Sequence, residues 1–193
     1  LSGVGNRSAD ITTVVPSYFQ SKLPNASMMF NAVMLGNHEL VTQGAAEQTI
    51  MLDCPDCKQD FIRNKSLYLG GFASGGMAYL CNKEVTKVAD LKGLKIRTSG
   101  AIGRWAARAG AVPVSMTPGD MVEGINRGQI DCIGGFNAWY KSYPVSDAVK
   151  YIYSFPMGTT AAVGFMVTNY KTWKGLKSAQ RRAILDVLPQ ASA

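Results

Sequence analysis

A short strand that ends in an arginine is the most informative chemical feature of this 193-residue sequence. Residues 95–98 alternate polar and apolar side chains, and Ser99-Gly100 then forms a turn that opens a helix. The pattern places the guanidinium of Arg97 at the carboxyl end of the strand. Ligands of open α/β sheets bind at that end, where an arginine can hold a carboxylate through two parallel hydrogen bonds. The alternative for Arg97 is a surface salt bridge with Asp90 or Asp131.

The pair Cys54-x-x-Cys57 is the second candidate for chemistry. At a strand-to-helix junction this spacing is typical of thioredoxin-type redox sites. Asp53 and Asp56 flank the thiols, however, and their negative charge would raise the thiol pKa rather than lower it. A structural zinc site needs two further ligands at partner spacing, which the sequence does not offer. We therefore predict a structural disulfide, with a thiol-disulfide oxidoreductase as the alternative function.

The four cysteines make an even count, which suggests two disulfides in an exported protein and allows three connectivities. The simplest pairing joins Cys54 to Cys57 and leaves Cys81 with Cys132.

His38 is the single histidine, and we interpret it as structural because no nucleophile or metal ligand is indicated beside it. No Gly-x-Ser-x-Gly elbow or pair of carboxylates at strand ends is present, so the sequence predicts no enzyme, cofactor or metal.

The bulk composition is that of an ordinary globular protein, with 47% hydrophobic residues and a net charge of +7. The basic residues are scattered, and no basic stripe alternates with aromatic residues, which argues against nucleic-acid binding. A cationic surface would instead attract an anionic solute. No run of 18 apolar residues exists, so the sequence predicts no membrane-spanning helix.

The elements around Arg97 follow a β-α-β-α-β order, which is typical of a wound α/β sheet. After the arginine strand we predict a helix from Ile102 to Ala109, a strand from Val112 to Met116, a helix that opens at 117–120, and a strand from Gln129 to Ile133. The remaining predicted elements are strands at 8–15, 67–72, 77–81, 149–154 and 161–168, an interrupted helix at 39–64, and a helix at 172–188 that Pro189 ends.

Three blocks in fixed order resemble one protein family. Residues 90–97 (DLKGLKIR), 110–114 (GAVPV) and 128–131 (GQID) are similar to the solute-binding subunits of tripartite ATP-independent periplasmic (TRAP) transporters, of the dicarboxylate-receptor type. The resemblance continues at 5–11 and at 170–184. It implies an exported protein with a periplasmic-binding-protein-like fold of two lobes joined by a hinge. It also implies a small organic anion, a carboxylate or a sulfonate, as ligand and a membrane permease as partner. We expect a monomer that closes its lobes over the solute.

The resemblance also implies that the chain is an internal fragment, incomplete in the first lobe. Residues 1–5 lack the basic and apolar regions of a signal peptide, which a mature or truncated chain would have lost. On this basis residues 1–72 are part of lobe I, 73–155 form lobe II, and 156–193 return to lobe I. The glycines at 70, 71, 75 and 76 are predicted to form the hinge.

The site residues that the resemblance implies come from both lobes. Arg97 is expected to hold the anion, and Asn137 to hydrogen-bond the rest of the solute. The aromatic cover is expected from Trp139, Phe136 and Tyr18, with Ser17 beside it. Family members often carry a second basic residue where this sequence has the apolar Met77, which lines the same pocket. The predicted solute is therefore small and singly anionic, held by one arginine.

Overall fold

The computed structural model describes residues 1–32, 40–154 and 159–192, and the chain divides into two compact units. The first unit comprises Leu1–Ser74 and Thr159–Ala193, and the second comprises Gly75–Gly158. His38 lies outside the described residues, so its predicted structural role stays a prediction.

The helices and strands follow one another in three stretches of the chain. The first contains α1 (Ser2–Gly5), β1 (Ile11–Val14), a 3₁₀ turn (Pro16–Tyr18), α2 (Ser27–Asn31), α3 (Leu40–Asp53), α4 (Pro55–Arg63) and β2 (Ser66–Ser74). The second contains β3 (Met77–Cys81), a 3₁₀ turn (Val88–Leu91), β4 (Lys95–Arg97), α5 (Gly100–Arg108), β5 (Val112–Val114), α6 (Met121–Asn126), β6 (Cys132–Phe136), α7 (Trp139–Ser142) and β7 (Tyr151–Ser154). The third contains β8 (Thr160–Asn169), α8 (Tyr170–Gly175) and α9 (Ser178–Ser192).

The first unit is built on an antiparallel three-stranded sheet in the order β1-β8-β2. Phe165 of β8 packs edge-to-face against Phe61 of α4 and Tyr68 of β2, with ring centroids 5.9 and 5.4 Å apart. Phe61 and Phe165 are fully buried. The burial of each such ring stabilises the fold by about 2–3 kcal/mol.

The second unit is a mixed five-stranded sheet in the order β5-β4-β6-β3-β7. β4 runs parallel to both β5 and β6, whereas β3 runs antiparallel to β6 and β7. The predicted β-α-β-α-β order is confirmed, because α5 connects β4 to β5 and α6 returns the chain to β6. Both connections begin at the carboxyl ends of parallel strands, which brings those ends to one edge of the sheet.

Both predicted disulfides are present, Cys54–Cys57 and Cys81–Cys132. Cys54 caps the start of α4, where its sulfur accepts a hydrogen bond from the Cys57 amide. Cys81 and Cys132 face each other directly across β3 and β6. The second bridge closes a sequence separation of 51 residues. A loop of that length corresponds to about 4 kcal/mol of stabilisation through the unfolded chain.

Predicted boundaries were wrong at the start of β6 and along the last helical segment. The strand predicted from Gln129 to Ile133 starts only at Cys132, because the amides of Gln129 and Ile130 bond to Gly124 in a turn that ends α6. The single helix predicted at 172–188 is divided in two, with an extended residue, Leu176, between α8 and α9. Pro189 lies inside α9 rather than ending it. It is placed near the last turn, where the missing N–H removes a single backbone hydrogen bond.

Candidate functional site

Arg97 is the last residue of β4, and it lies where the chain reverses its direction of travel across the sheet. From β4 the chain moves outward to β5, and from β5 it crosses back to β6 on the other side of β4. The segments that leave β4 and β6 therefore diverge, and open α/β sheets bind ligands in the crevice that such a divergence creates. The register pairs Arg97 with Val114 on one side and with Ile133 on the other.

The side chain of Arg97 is 2% exposed, and main-chain groups hold it in place. Its Nε donates a hydrogen bond of 2.9 Å to the carbonyl oxygen of Met116, and one terminal nitrogen lies 3.5 Å from the carbonyl oxygen of Gly134. The guanidinium carbon also lies 5.0 Å from the centre of the Trp139 ring, within range of a cation–π interaction. A buried guanidinium costs free energy unless such contacts compensate it. These contacts therefore stabilise the buried group and fix its position.

The surface salt bridge considered for Arg97 does not fit this environment. Asp131 instead pairs with Lys83 at 2.8 Å and accepts a hydrogen bond of 2.9 Å from the amide of Lys95. Partial burial alone would raise the pKa of Asp131, but the bonds from Lys83 and Lys95 outweigh it and lower that pKa. Asp90 accepts hydrogen bonds from the amide and hydroxyl of Thr86, which lower its pKa.

Three aromatic residues beside Arg97, namely Phe136, Trp139 and Tyr143, form what we call the aromatic wall. The half-buried ring of Trp139 packs edge-to-face against Phe136, with centroids 5.6 Å apart, and against Tyr143 at 5.5 Å. The Trp139 ring also lies on the backbone of Gly135, which can be approached this closely because it has no side chain. The arrangement places aromatic, apolar side chains next to a fixed positive charge.

We expect Gly135→Ala to weaken solute binding about tenfold without unfolding the sheet, because an added methyl group would overlap the Trp139 ring and move it off Arg97. Isothermal titration calorimetry would measure the affinity, and near-ultraviolet circular dichroism would report the displaced ring. Gly119→Ala is the matched control, because a methyl group there meets only the Thr117 hydroxyl at 3.7 Å. Equal affinities for wild type and Gly135→Ala would contradict this role of the wall.

The remaining predicted residues of the second unit lie beside the wall. Asn137 is exposed, and its backbone amide donates a hydrogen bond to the carbonyl oxygen of Gly76. Its side-chain oxygen accepts a hydrogen bond of 3.3 Å from the Ser154 hydroxyl. Met77 is paired with Phe136 in the register of β3 and β6 and is 2% exposed. The structure therefore gathers Arg97, Phe136 and Trp139, with Asn137 and Met77 at their margin. Their role in binding stays a prediction.

Ser17 and Tyr18 belong to the first unit. They form the 3₁₀ turn that follows β1, where Ser17 is buried and Tyr18 is 41% exposed. This agrees with the predicted loop at the carboxyl end of that strand, and their contact with a solute stays a prediction.

Sequence reasoning missed three contributors to the site. Met116 and Gly134 act through carbonyl oxygens, which side-chain patterns do not reveal. The third is Thr98, which follows Arg97, is 4% exposed and has a buried hydroxyl without a hydrogen-bond partner among the described residues. The position of Thr98 directly after the arginine that ends the strand is the sequence feature that could have identified it as a site residue. The glycines at 134 and 135, predicted to follow the strand, lie inside β6.

In the described part of the chain, no group of three or more His, Cys, Asp or Glu residues is arranged to hold a metal ion. Among the same residues, no helix combines the length and apolarity that crossing a bilayer would require.

Comparison with solved structures shows the fold. An extracytoplasmic solute receptor from Bordetella pertussis that binds pyroglutamic acid has a TM-score of 0.79 at 22% identity, over 98% of this chain and 61% of that one. A TRAP solute-binding protein from Rhodoferax ferrireducens with copurified benzoate has a TM-score of 0.79 at 19% identity, over 98% and 59%. A TRAP periplasmic protein from Xanthobacter autotrophicus with bound β-D-galacturonate has a TM-score of 0.77 at 18% identity, over 98% and 62%.

This chain thus spans about 60% of the length of these structures. A comparison with curated protein sequences gives no match. The family model for DctP, "Bacterial extracellular solute-binding protein, family 7", matches residues 1–193. The family consists of transport proteins rather than enzymes, and the predicted resemblance to TRAP solute-binding subunits is confirmed. With its wound second sheet and with the family match along its whole length, this chain belongs to family 7 of the bacterial extracellular solute-binding proteins.

Proposed function

We propose that the protein containing this chain is the exported solute-binding subunit of a TRAP transporter, which binds a small organic anion through Arg97 and delivers it to a membrane permease. The observation that carries the proposal is the placement of a buried, braced guanidinium at the carboxyl end of β4, where the strand connections diverge. A planar guanidinium recognises a carboxylate through paired hydrogen bonds, and in a dry site these bonds are strong.

The solute that we propose is a small monocarboxylate with a flat or ring-shaped body. The aromatic wall of Phe136, Trp139 and Tyr143 would contact that body while Arg97 holds the charge. Three similar structures contain or bind pyroglutamate, benzoate and galacturonate. Each of these compounds joins one carboxylate to a ring, which supports the same class for this chain.

Two polar groups are proposed to complete the recognition of the solute. The amide of Asn137 is exposed and can both donate and accept hydrogen bonds. The buried hydroxyl of Thr98 has unused hydrogen-bonding capacity among the described residues, and satisfying such a group on binding is favourable.

The alternative function, a thiol-disulfide oxidoreductase at Cys54 and Cys57, is not favoured. The family binds solutes for transport, and the negative charges of Asp53 and Asp56 beside the two cysteines would oppose the formation of a reactive thiolate.

A screen of matched ligand pairs on the full-length protein tests the proposed function. We expect pyroglutamate, benzoate or galacturonate to raise the melting temperature, because a bound ligand stabilises the folded state by mass action. The corresponding neutral amides should have no effect, since they cannot neutralise Arg97. A melting temperature that none of the carboxylates changes, or that the amides raise equally, would contradict the proposal.

A further inference from the structure

A cavity of about 470 Å³ lies in the first unit, and none of its lining residues is among those assigned to the solute site. It forms where β1 and β2 begin and β8 ends, which is one edge of the antiparallel sheet because Ile11 pairs with Thr168 and Ser66 with Asn169. The predicted contacts Ser17 and Tyr18 follow the other end of β1. The volume is in the range of small-molecule sites.

Three cations line this cavity, Arg7, Lys65 and Lys171, together with the ring of Tyr170. The described lining residues include no carboxylate. A fourth cation, Lys174, stacks on the Tyr170 ring at 4.6 Å. Asp10, near in sequence, accepts a hydrogen bond of 2.6 Å from the Thr172 hydroxyl. The electrostatic potential inside the cavity is therefore expected to be positive.

Two of these cations adopt a backbone conformation that ordinarily requires glycine. Arg7 has φ of 68° and Lys65 has φ of 56°, and they are the non-glycine residues with positive φ among those described. The corresponding left-handed positions elsewhere are occupied by Gly93, Gly100, Gly110 and Gly128. Arg7 and Lys65 each follow the last turn of a helix, α1 and α4, where glycine is the favoured residue.

Backbone strain of this kind persists where a side chain is useful and the surroundings hold it. Here the surroundings are well defined. The side-chain amide of Asn169 donates a hydrogen bond of 2.7 Å to the carbonyl oxygen of Val4. The backbone amide of Tyr170 donates one of 3.0 Å to the carbonyl oxygen of Lys65. Both residues with positive φ thus line one braced cavity and carry a cationic side chain, although glycine would be the less costly choice at each position.

From this juxtaposition we infer that Arg7, Lys65 and Lys171 form a second anion site, separate from the proposed solute site, which binds a phosphate group. Phosphate offers several acceptor oxygens and up to two negative charges, so it can pair with more than one of the cations that line the cavity. The aromatic ring of Tyr170 and the apolar side chain of Ile62 provide room for an attached organic group. The phosphate could belong to a soluble phosphomonoester or to a lipid headgroup.

The test uses the full-length protein and the double variant Arg7→Gly, Lys65→Gly. Glycine suits both φ values, so the variant should melt at or above the wild-type temperature while it loses two charges. Calorimetry with inorganic phosphate and phenyl phosphate should show an affinity at least about tenfold lower, because two charge-assisted hydrogen bonds are lost. The exposed pair Lys58→Gln, Arg108→Gln removes the same charge elsewhere and should bind as wild type.

Two further experiments identify the source of the phosphate group and distinguish this site from the proposed solute site. Cosedimentation with phosphatidylglycerol vesicles, but no binding of free phosphate, would identify a lipid headgroup as the source, provided that the double variant abolishes it. Arg97→Ala should leave phosphate affinity unchanged, which makes the outcome independent of the proposed solute site. The inference is overturned if wild type binds none of these phosphates, if the double variant binds like wild type, or if the control pair weakens binding equally.

Discussion

Replacing Arg97 with alanine is expected to lower the affinity for the carboxylate solute by about 4 kcal/mol, or roughly 1,000-fold, since it removes a buried partner of the anion. The enthalpy of binding should become markedly less favourable, because paired hydrogen bonds to a carboxylate are lost. Isothermal titration calorimetry on the full-length protein, with the best ligand of the carboxylate screen, measures both quantities.

A second substitution separates charge from geometry at this position. Arg97→Lys keeps the positive charge but lacks the planar fork that matches a carboxylate, so an intermediate loss of about 10- to 100-fold is expected. Lysine also retains a donor toward the carbonyl oxygens of Met116 and Gly134, which the alanine variant leaves without their arginine partner. The exposed Arg108→Ala serves as control. Unchanged affinity in folded Arg97→Ala would refute the proposed clamp.

Glu47 is expected to make the stability of the protein depend on pH, because its carboxyl group is fully buried in the first unit. One carboxyl oxygen accepts a hydrogen bond of 3.2 Å from the Tyr68 hydroxyl, and the other has no hydrogen-bond partner among the described residues. The group also packs against the backbone of Gly71. Burial, only partly offset by the bond from Tyr68, raises the pKa of Glu47 from 4.5 to about 8.

The stability of the protein should consequently fall as the pH rises from about 4.5 to about 8. Over that window the folded state keeps the proton on Glu47 while the unfolded chain releases it, and above the folded pKa the dependence ends. The shift corresponds to about 5 kcal/mol at most, at 1.36 kcal/mol per pKa unit. Glu47→Gln mimics the protonated carboxyl group, so it should remove this slope and be the more stable protein at pH above 8.

Urea unfolding of the full-length protein at several pH values measures this effect. The charged groups on the helix α4, which packs beside α3, are Asp56, Lys58, Asp60 and Arg63, and they stay unchanged in the variant. Glu84→Gln, an exposed glutamate, should retain the wild-type slope. Identical pH dependence in wild type and Glu47→Gln would show that Glu47 does not control it.

Local chemistry in the sequence was sufficient to predict the frame of the protein. Alternation over 95–98 predicted the strand that ends at Arg97, the β-α-β-α-β order predicted the wound sheet, and both disulfide pairings were correct. The strand, the sheet order and the Cys54–Cys57 bridge are predictable because each depends on neighbouring residues or on short connections, and the Cys81–Cys132 bridge then follows as the pair that remains among four cysteines. The ordered sequence blocks around Arg97 are likewise sufficient to indicate the family.

Tertiary structure alone decided how these residues act. The carbonyl oxygens that brace Arg97 come from Met116 and Gly134, 19 and 37 residues away. The pKa of Glu47 depends on its burial against β2, and the gathering of Arg7, Lys65 and Lys171 depends on three separate segments meeting at one sheet edge. Sequence therefore determined which elements form and which charges they carry. Long-range packing determined what surrounds each charge, because solvation and hydrogen-bond partners are properties of the folded assembly rather than of neighbouring residues.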